Sequence, residues 1–389
     1  MSGDYFTYYA NKLHKGCYNI TKFVWKKIMK KTYILGTCLL IGMASSSFGS
    51  SSSEHAEWKE FENKLSNLKF VDEYLDSEPH GPADVMWRPW KDAFKRAEIK
   101  YDGNNIKFIV LHYTAHPTRD TVPEAFKQKG LSSHFLVDSN GIIVNYVDPF
   151  MGIAYHAGTS SFAGYSRLNY WSVGIEHTGL GYTLTPQCDE YGKPLDGRFI
   201  PGSDYYWYEF PEAQFVASCE LTRALQDGFK IPGYNVVTNA DITPGRKSDI
   251  GPMWNYKRAY NEYNVGYFPS ETHQIVMQNF HEFTENDYLS FIGCFGYDIS
   301  APMRALMVND IDTFDKAKQD VIKAYQLHYS TSNISGELVE YTKTDILKHV
   351  ISLAKLGKDG YGYFNKEFLR WIKRNLKKAS KLAEYVPID

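Results

Sequence analysis

Val236–Pro252 reads VVTNADITPGRKSDIGP: a β-favouring head, then a polar run that carries Asn239, Lys247 and Asp249 past a Pro-Gly turn. The head predicts a short strand over Asn235–Asn239 that ends where the breakers begin. Comparable pieces lie upstream. Ile106–Tyr113 (IKFIVLHY) is rich in branched and aromatic residues and reads as a buried strand, and Ser172–His177 (SVGIEH) reads as another, ending in Glu176 and His177. His134–Asp138 and Ile142–Val147 are joined by Ser-Asn-Gly, which predicts a hairpin. Pro211–Phe229 starts with Pro and Glu and places Phe215, Cys219 and Leu225 near helical spacing, so it predicts a helix. Strands interleaved with helices predict an α/β domain over residues 101–260.

Outward from that domain the pattern changes. Thr178–Phe210, with its Gly and Pro residues and the Tyr205–Tyr208 run, reads as one long loop. Asp312–Tyr329 and Glu337–Leu356 are helical patterns with no strand between them, which predicts a small all-α module over residues 281–356. Residues 357–389 hold a further helical pattern, Asn365–Lys381. Phe368, Ile372, Leu376 and Ala379 line one face of it, and Lys366, Arg370, Lys373, Arg374, Lys377, Lys378 and Lys381 line the other. Two readings stay open: contact with an anionic surface, or a solvated helix docked on the module. Upstream, residues 54–100 read as a helix over Glu54–Tyr74 followed by a linker broken by Pro79, Gly81, Pro82 and Pro89.

The composition narrows the function classes. The chain has 389 residues, enough for two to three domains at ~150 residues each. A formal net charge of −2 removes the general electrostatic argument for nucleic-acid binding, and the chain is expected to act as a monomer. At 43% hydrophobic and 23% charged residues the composition is that of a globular protein, and a 16% aromatic share fits large cores and carbohydrate or peptide grooves alike. Cys188, Cys219 and Cys294 form no disulfide framework; they read as buried or free thiols, with a Cys188–Cys219 bridge as the alternative.

Four short pieces carry candidate chemistry beside Val236–Pro252: LHYTA with His112, SSHF with His134, AYHAG with His156, and SVGIEHTG with Glu176. His112 and Glu176 fall at strand ends, where an α/β sheet presents its site. A histidine and carboxylates delivered there can form a three-ligand zinc site with one position open.

In this order the pieces resemble the zinc-dependent N-acetylmuramoyl-L-alanine amidases of type 2, whose fold is that of phage lysozyme and the peptidoglycan recognition proteins. The resemblance covers about Ile106 to Tyr256 and is most specific over Asp241–Pro252. It implies a mixed central sheet flanked by helices. Gly296–Asp298 and Val321–His328 resemble the peptidoglycan-binding helical module appended to periplasmic members. The resemblance implies zinc ligands at His112 and Asp249, a water-activating acid at Glu176 and an oxyanion-stabilising lysine at Lys247. It places His156, with His134, Tyr113 and Asn169, against the substrate. Peptidoglycan or a muropeptide is the implied partner.

One position departs. The second ligand, a histidine in the family, falls on Asn239, ten residues before Asp249. An amide oxygen is a far weaker zinc donor than imidazole. His177, His116 and Asp241 are local substitutes, and Ile250 stands where the family has proline. Two functions therefore follow: an amidase, or a peptidoglycan-binding protein that has kept the groove and lost hydrolysis.

Met29–Gly49 has two lysines, an apolar run from Tyr33 to Ala44 and a small-residue exit, the pattern of a secretory signal peptide. Residues 1–28 then read as an upstream extension, Cys38 lies too early in the run for lipidation, and the destination is periplasmic or cell-envelope. N-terminal sequencing of the exported protein is expected to begin between Ser45 and Ser53; recovery of residues 1–28 would refute this.

Overall fold

Phe108–Leu111 (FIVL, β2) is buried at each position, the mark of a strand covered on both faces. A computed structural model describes it together with residues 69–72, 106–147, 149, 152–189, 191–269 and 283–355. Six strands form the central sheet: β1 (Lys69–Asp72), β2, β3 (Phe135–Val137), β4 (Ile142–Asn145), β7 (Ser172–His177) and β11 (Val236–Thr238), in the order β1-β4-β3-β7-β2-β11. Pairing is parallel except between β3 and β4, the expected hairpin, so the sheet is mixed. Asp138 Oδ1 accepts from the Asn140 and Ile142 amides to close that hairpin. Gly141 is required there: its φ is 79°, and a Cβ would lie 2.6 Å from the Ala213 carbonyl oxygen.

Successive residues of β2 enter different cores. Ile109 and Leu111 pack in one cluster with Phe215, Leu221 and Leu225 of the helix Glu212–Phe229, and with Trp254. Phe108 and Val110 face the opposite way, into a cluster with Phe291, Ile292, Val321, Tyr325 and Ile346. Those residues belong to the C-terminal helices Glu285–Cys294, Ile311–Tyr329 and Glu340–Lys355; Ser300–Met307 is a further helix of the same segment. In chain order the helices Val122–Lys129, Glu212–Phe229, Asn239–Ile242, Tyr256–Tyr263, Glu285–Cys294, Ser300–Met307, Ile311–Tyr329 and Glu340–Lys355 are α1 to α8. The period of two along β2 thus makes a sheet with α2 on one face and the C-terminal helices on the other.

Two expectations are corrected. Residues 69–72, read as part of a helix, form β1: Phe70 and Val71 suit a strand, and the open edge of β4 supplies hydrogen bonds that outweigh a weak helix propensity. Thr178–Phe210 is not a plain loop. It folds into a three-stranded sheet of β8 (Tyr182–Thr183), β10 (Tyr206–Tyr208) and β9 (Gly197–Phe199), paired antiparallel; β5 (Ser161–Phe162) and β6 (Tyr165–Ser166) make a small hairpin. Cys188, Cys219 and Cys294 carry no disulfide. The signal-like segment, residues 54–68 and the basic helix over Asn365–Lys381 lie outside the described residues.

Phe291→Ala is expected to cost about 3–5 kcal/mol, the span for deleting a buried phenyl ring. Phe291 shares its cluster with Phe108 and Val110, so urea denaturation should show the loss as a shift of one cooperative transition that includes the sheet.

Candidate active site

β7, β2 and β11 are adjacent and parallel, so their carboxyl ends open together. His112 follows β2, Glu176 lies in the last turn of the pleat of β7, and Asn239 follows β11 as the first residue of α3. A capping box sets that position: the Thr238 hydroxyl accepts from the Asp241 amide, and Asp241 Oδ2 accepts from the Thr238 amide. Asp249 is brought back to this point by its own carbonyl, which accepts from the Ala240 amide at 2.8 Å.

Three of the expected residues meet there. His112 Nδ1 stands 3.2 Å from Asp249 Oδ2, and Asn239 Nδ2 donates to both oxygens of Asp249, at 3.2 and 3.0 Å. All three side chains are buried. Ligands about 2.0–2.1 Å from a tetrahedral zinc lie about 3.3 Å from one another, so the His112–Asp249 spacing suits a shared ion. Asn239 Oδ1 is buried and unpartnered, and a turn of the amide that takes Nδ2 off Asp249 would offer it as a third protein donor. The residues therefore fit zinc, with one neutral amide in place of a strong donor. No cluster of three His, Cys, Asp or Glu side chains able to hold a metal occurs among the described residues.

Glu176 is 8% exposed and its Oε2 has no partner. Burial pushes its carboxyl up to about 7; His112 and Lys247 pull it down, and the Asp249 charge adds to the rise. Lys247 itself is exposed, on the turn that leads into Asp249. Tyr113 is hydrogen-bonded to Ser248; burial first, and then the Asp249 charge, raises its hydroxyl far above the usual tyrosine range, so it stays a proton donor. Its ring lies over Gly181, where a Cβ would come within 2.2 Å. Tyr182 continues the wall, 6.5 Å from Tyr113 and 4.9 Å from Trp207, ring centre to ring centre.

The other expected residues are tied into the fold by their own hydrogen bonds. His134 is fully buried and both its nitrogens are engaged: Nδ1 accepts from the Gly174 amide, and Nε2 faces the Gly152 carbonyl at 3.2 Å. Burial holds its pKa down at about 4. Asn169 Oδ1 accepts from the His156 and Ala157 amides at 3.0 and 2.7 Å and so holds the chain at His156. His156 is buried too, with Nδ1 2.9 Å from His112 Nε2 and Nε2 3.2 Å from Ser172 Oγ. Burial, reinforced by His112 and His134, keeps it well below the ordinary histidine range.

The proposed substitutes for Asn239 are elsewhere. His177 donates from Nδ1 to the His112 carbonyl and meets Ser218 at Nε2, both at 2.6 Å. Asp241 is taken by the Thr238 amide, by the Tyr297 hydroxyl at 2.5 Å and by His328 Nδ1 at 2.7 Å. His116 pairs through its backbone with Gly179. Ser172, Ser248 and Tyr182 were not singled out in the sequence, and Trp207 only as part of the Tyr205–Tyr208 run, whose β-favouring aromatic residues suit a strand.

Residues 102–252 match the family described as N-acetylmuramoyl-L-alanine amidase. The chain is 27% identical over 256 residues to N-acetylmuramoyl-L-alanine amidase AmiD of Escherichia coli K12, a match over 63% of this chain and 82% of AmiD. It is 31% identical over 177 residues to 1,6-anhydro-N-acetylmuramyl-L-alanine amidase AmpD of Salmonella typhimurium LT2, over 46% of this chain and 72% of that one. Among solved structures, AmiD from E. coli in complex with anhydro-N-acetylmuramic acid-L-Ala-D-gamma-Glu-L-Lys superposes with a TM-score of 0.51 at 26% identity, covering 66% of this chain and 91% of AmiD.

The raised Glu176 carboxyl has a stability consequence in the metal-free protein. Its folded value, about 7, exceeds the unfolded value near 4.5, so the stability this group contributes is present below about 4.5 and is lost as pH rises through about 7. Glu176→Gln removes that penalty. The variant should unfold at higher denaturant than wild type by about 3 kcal/mol at pH 8, and the gap should close toward pH 4.5 in paired urea titrations.

Proposed function

The chain belongs to the N-acetylmuramoyl-L-alanine amidase family, and we propose that it hydrolyses the amide between the lactyl group of N-acetylmuramic acid and the L-alanine of the peptidoglycan stem peptide. The observation that carries this is Glu176: a buried carboxylate with one unpartnered oxygen, set beside the His112–Asp249 pair. Ionised Glu176 takes a proton from the attacking water as its oxygen bonds to the scissile carbonyl carbon. It returns that proton to the L-alanine nitrogen when the C–N bond breaks. A carboxyl near 7 is matched to that task at neutral pH. Lys247, whose charge is felt at Glu176, holds the negative charge that develops on the carbonyl oxygen. His112 Nδ1, the Asp249 carboxylate and the Asn239 amide are the residues that would hold a zinc ion, which when bound would supply Lewis-acid polarisation of that carbonyl.

Tyr113 is the expected substrate-lining residue that keeps a donor at the site, and Tyr182 and Trp207 extend its ring into an apolar wall. Peptidoglycan or its muropeptide fragments are the substrate class, a reading supported by the anhydro-muropeptide held by the AmiD structure. The protein acts as an exported, envelope-associated monomer. Its C-terminal helices assist retention on the polymer as part of the whole chain, because they share a core with the sheet. Asn239 favours one second reading, a binding protein that keeps the groove without hydrolysis.

Glu176→Ala is expected to lose ~10²–10⁴-fold in turnover with zinc retained. Asp249→Ala should lose metal and activity together, and Asn239→His should tighten zinc by restoring an imidazole donor. Stem-peptide release from sacculi and the zinc content of the same samples measure these. If wild type at saturating zinc releases no more than Glu176→Ala, the binding reading holds and the amidase reading is wrong.

A further inference from the structure

His156 is placed by more groups than a residue that merely lines a cleft needs. Asn169 Oδ1 fixes its backbone through two amides. Gly174 leaves room for its ring, since a Cβ there would lie 2.5 Å from His156 Cγ. His134, itself pinned by the Gly174 amide, meets the ring edge-on with centres 5.9 Å apart. Ser172 closes the far side: its hydroxyl proton goes to the Leu168 carbonyl at 2.6 Å.

That last bond sets the direction of the remaining ones. With its one proton given to Leu168, Ser172 Oγ faces His156 Nε2 as an acceptor, so Nε2 of His156 carries the hydrogen. His156, neutral, then offers the lone pair of Nδ1 to His112 Nε2, 2.9 Å away, and His112 must donate from Nε2. The nitrogen that remains on His112 is Nδ1, aimed at Asp249 Oδ2 at 3.2 Å. At that distance Nδ1 and the carboxylate oxygen are spaced as two donors that one metal cation can share.

We propose that His156 is a positioning residue of the metal site: by accepting the Nε2 hydrogen of His112 it fixes the ring and the tautomer that present His112 Nδ1 to the ion, and the Ser172–Leu168 bond fixes His156 in turn. Outer partners of this kind are what orient metal-bound histidines in general. With Asn239 supplying only a weak donor, orientation of His112 matters more here than in a site with two imidazoles. The proposal rests on the reading of His112, Asp249 and Asn239 as the metal site.

The test uses the full chain. In the metal-free protein, nitrogen-15 NMR of the imidazoles reads the tautomers directly; a proton on His112 Nε2 is expected. Zinc affinity is then measured by competition with a chelator. His156→Leu should weaken zinc by ~10–100-fold. His156→Gln, which keeps an acceptor for His112 and a donor for Ser172, should restore most of that loss. Ser172→Ala should weaken zinc in the same direction and mix the His156 tautomers, which keeps the proposal testable if the leucine variant does not fold. A bare His112 Nε2 in wild type, or a folded His156→Leu protein with wild-type zinc affinity, overturns the proposal. Failure of wild type to bind zinc at all would instead refute the metal-site reading, and the tautomer measurement would still judge His156.

Discussion

Asp249 holds a carboxylate almost out of solvent, and the carboxyl ends of the sheet are organised around it. A buried charge of this kind is tolerated only where donors or a cation meet it. Here His112 arrives from β2 and the Asn239 amide from the end of β11, while the Asp249 backbone is tied to Ala240. Those groups come from points in the chain 137 and ten residues apart, so the site exists only when the parallel order β7-β2-β11 is formed. Glu176 is the contrasting case. It has a buried oxygen without a partner, and loss of solvation there is what raises its proton affinity to a useful level.

The turn that carries Asn239 is also gripped from the far side of the sheet. Asp241, two residues on, is held by Tyr297 and by His328 of α7, which stacks on Tyr329 with ring centres 3.8 Å apart. The C-terminal helices therefore do two things: they cover the Phe108 and Val110 face, and they anchor the α3 cap through a buried polar cluster. On the other face, α2 reaches the site strands through polar side chains inside its buried surface. Gln214 donates to the Val137 and Thr178 carbonyls, and Ser218 meets His177 beneath His112. Both layers set the position of the loops as well as burying apolar area.

Histidine has three kinds of use here, and residue type alone does not separate them. His112 faces a carboxylate, His156 faces His112, His134 is spent on backbone groups and His177 on a backbone carbonyl and the Ser218 hydroxyl, with burial holding the latter two at about 4. All four lie within hydrogen-bond or ring contact of the same few strands. The difference between ligand, support and scaffold is which partner each nitrogen meets, a matter of ångströms set by residues as distant in sequence as Gly174 and Ser218.

The sequence by itself determined the strands at Phe108–Leu111, Ser172–His177 and Val236–Thr238, the β3–β4 hairpin, α2 and the two long C-terminal helices, because hydrophobic period and breaker residues are local signals. It also placed His112 and Glu176 at strand ends, put Lys247 and Asp249 in the run past the Pro-Gly turn, and marked Asn239 as the departure from the family pattern. Tertiary structure alone decided the rest. The edge strand Lys69–Asp72 is made by pairing with β4, and the sheet within Thr178–Phe210 by antiparallel partners for Tyr206–Tyr208; neither pairing is written in a local window. The assignment of the Asn239 amide to Asp249, of Asp241 to His328 and of His156 to His112 is likewise settled only by which side chains the folded sheet brings within 3.2 Å. Hydrogen bonds act over that range and no further, so a pattern of residue types names the candidates and the packed chain chooses their partners.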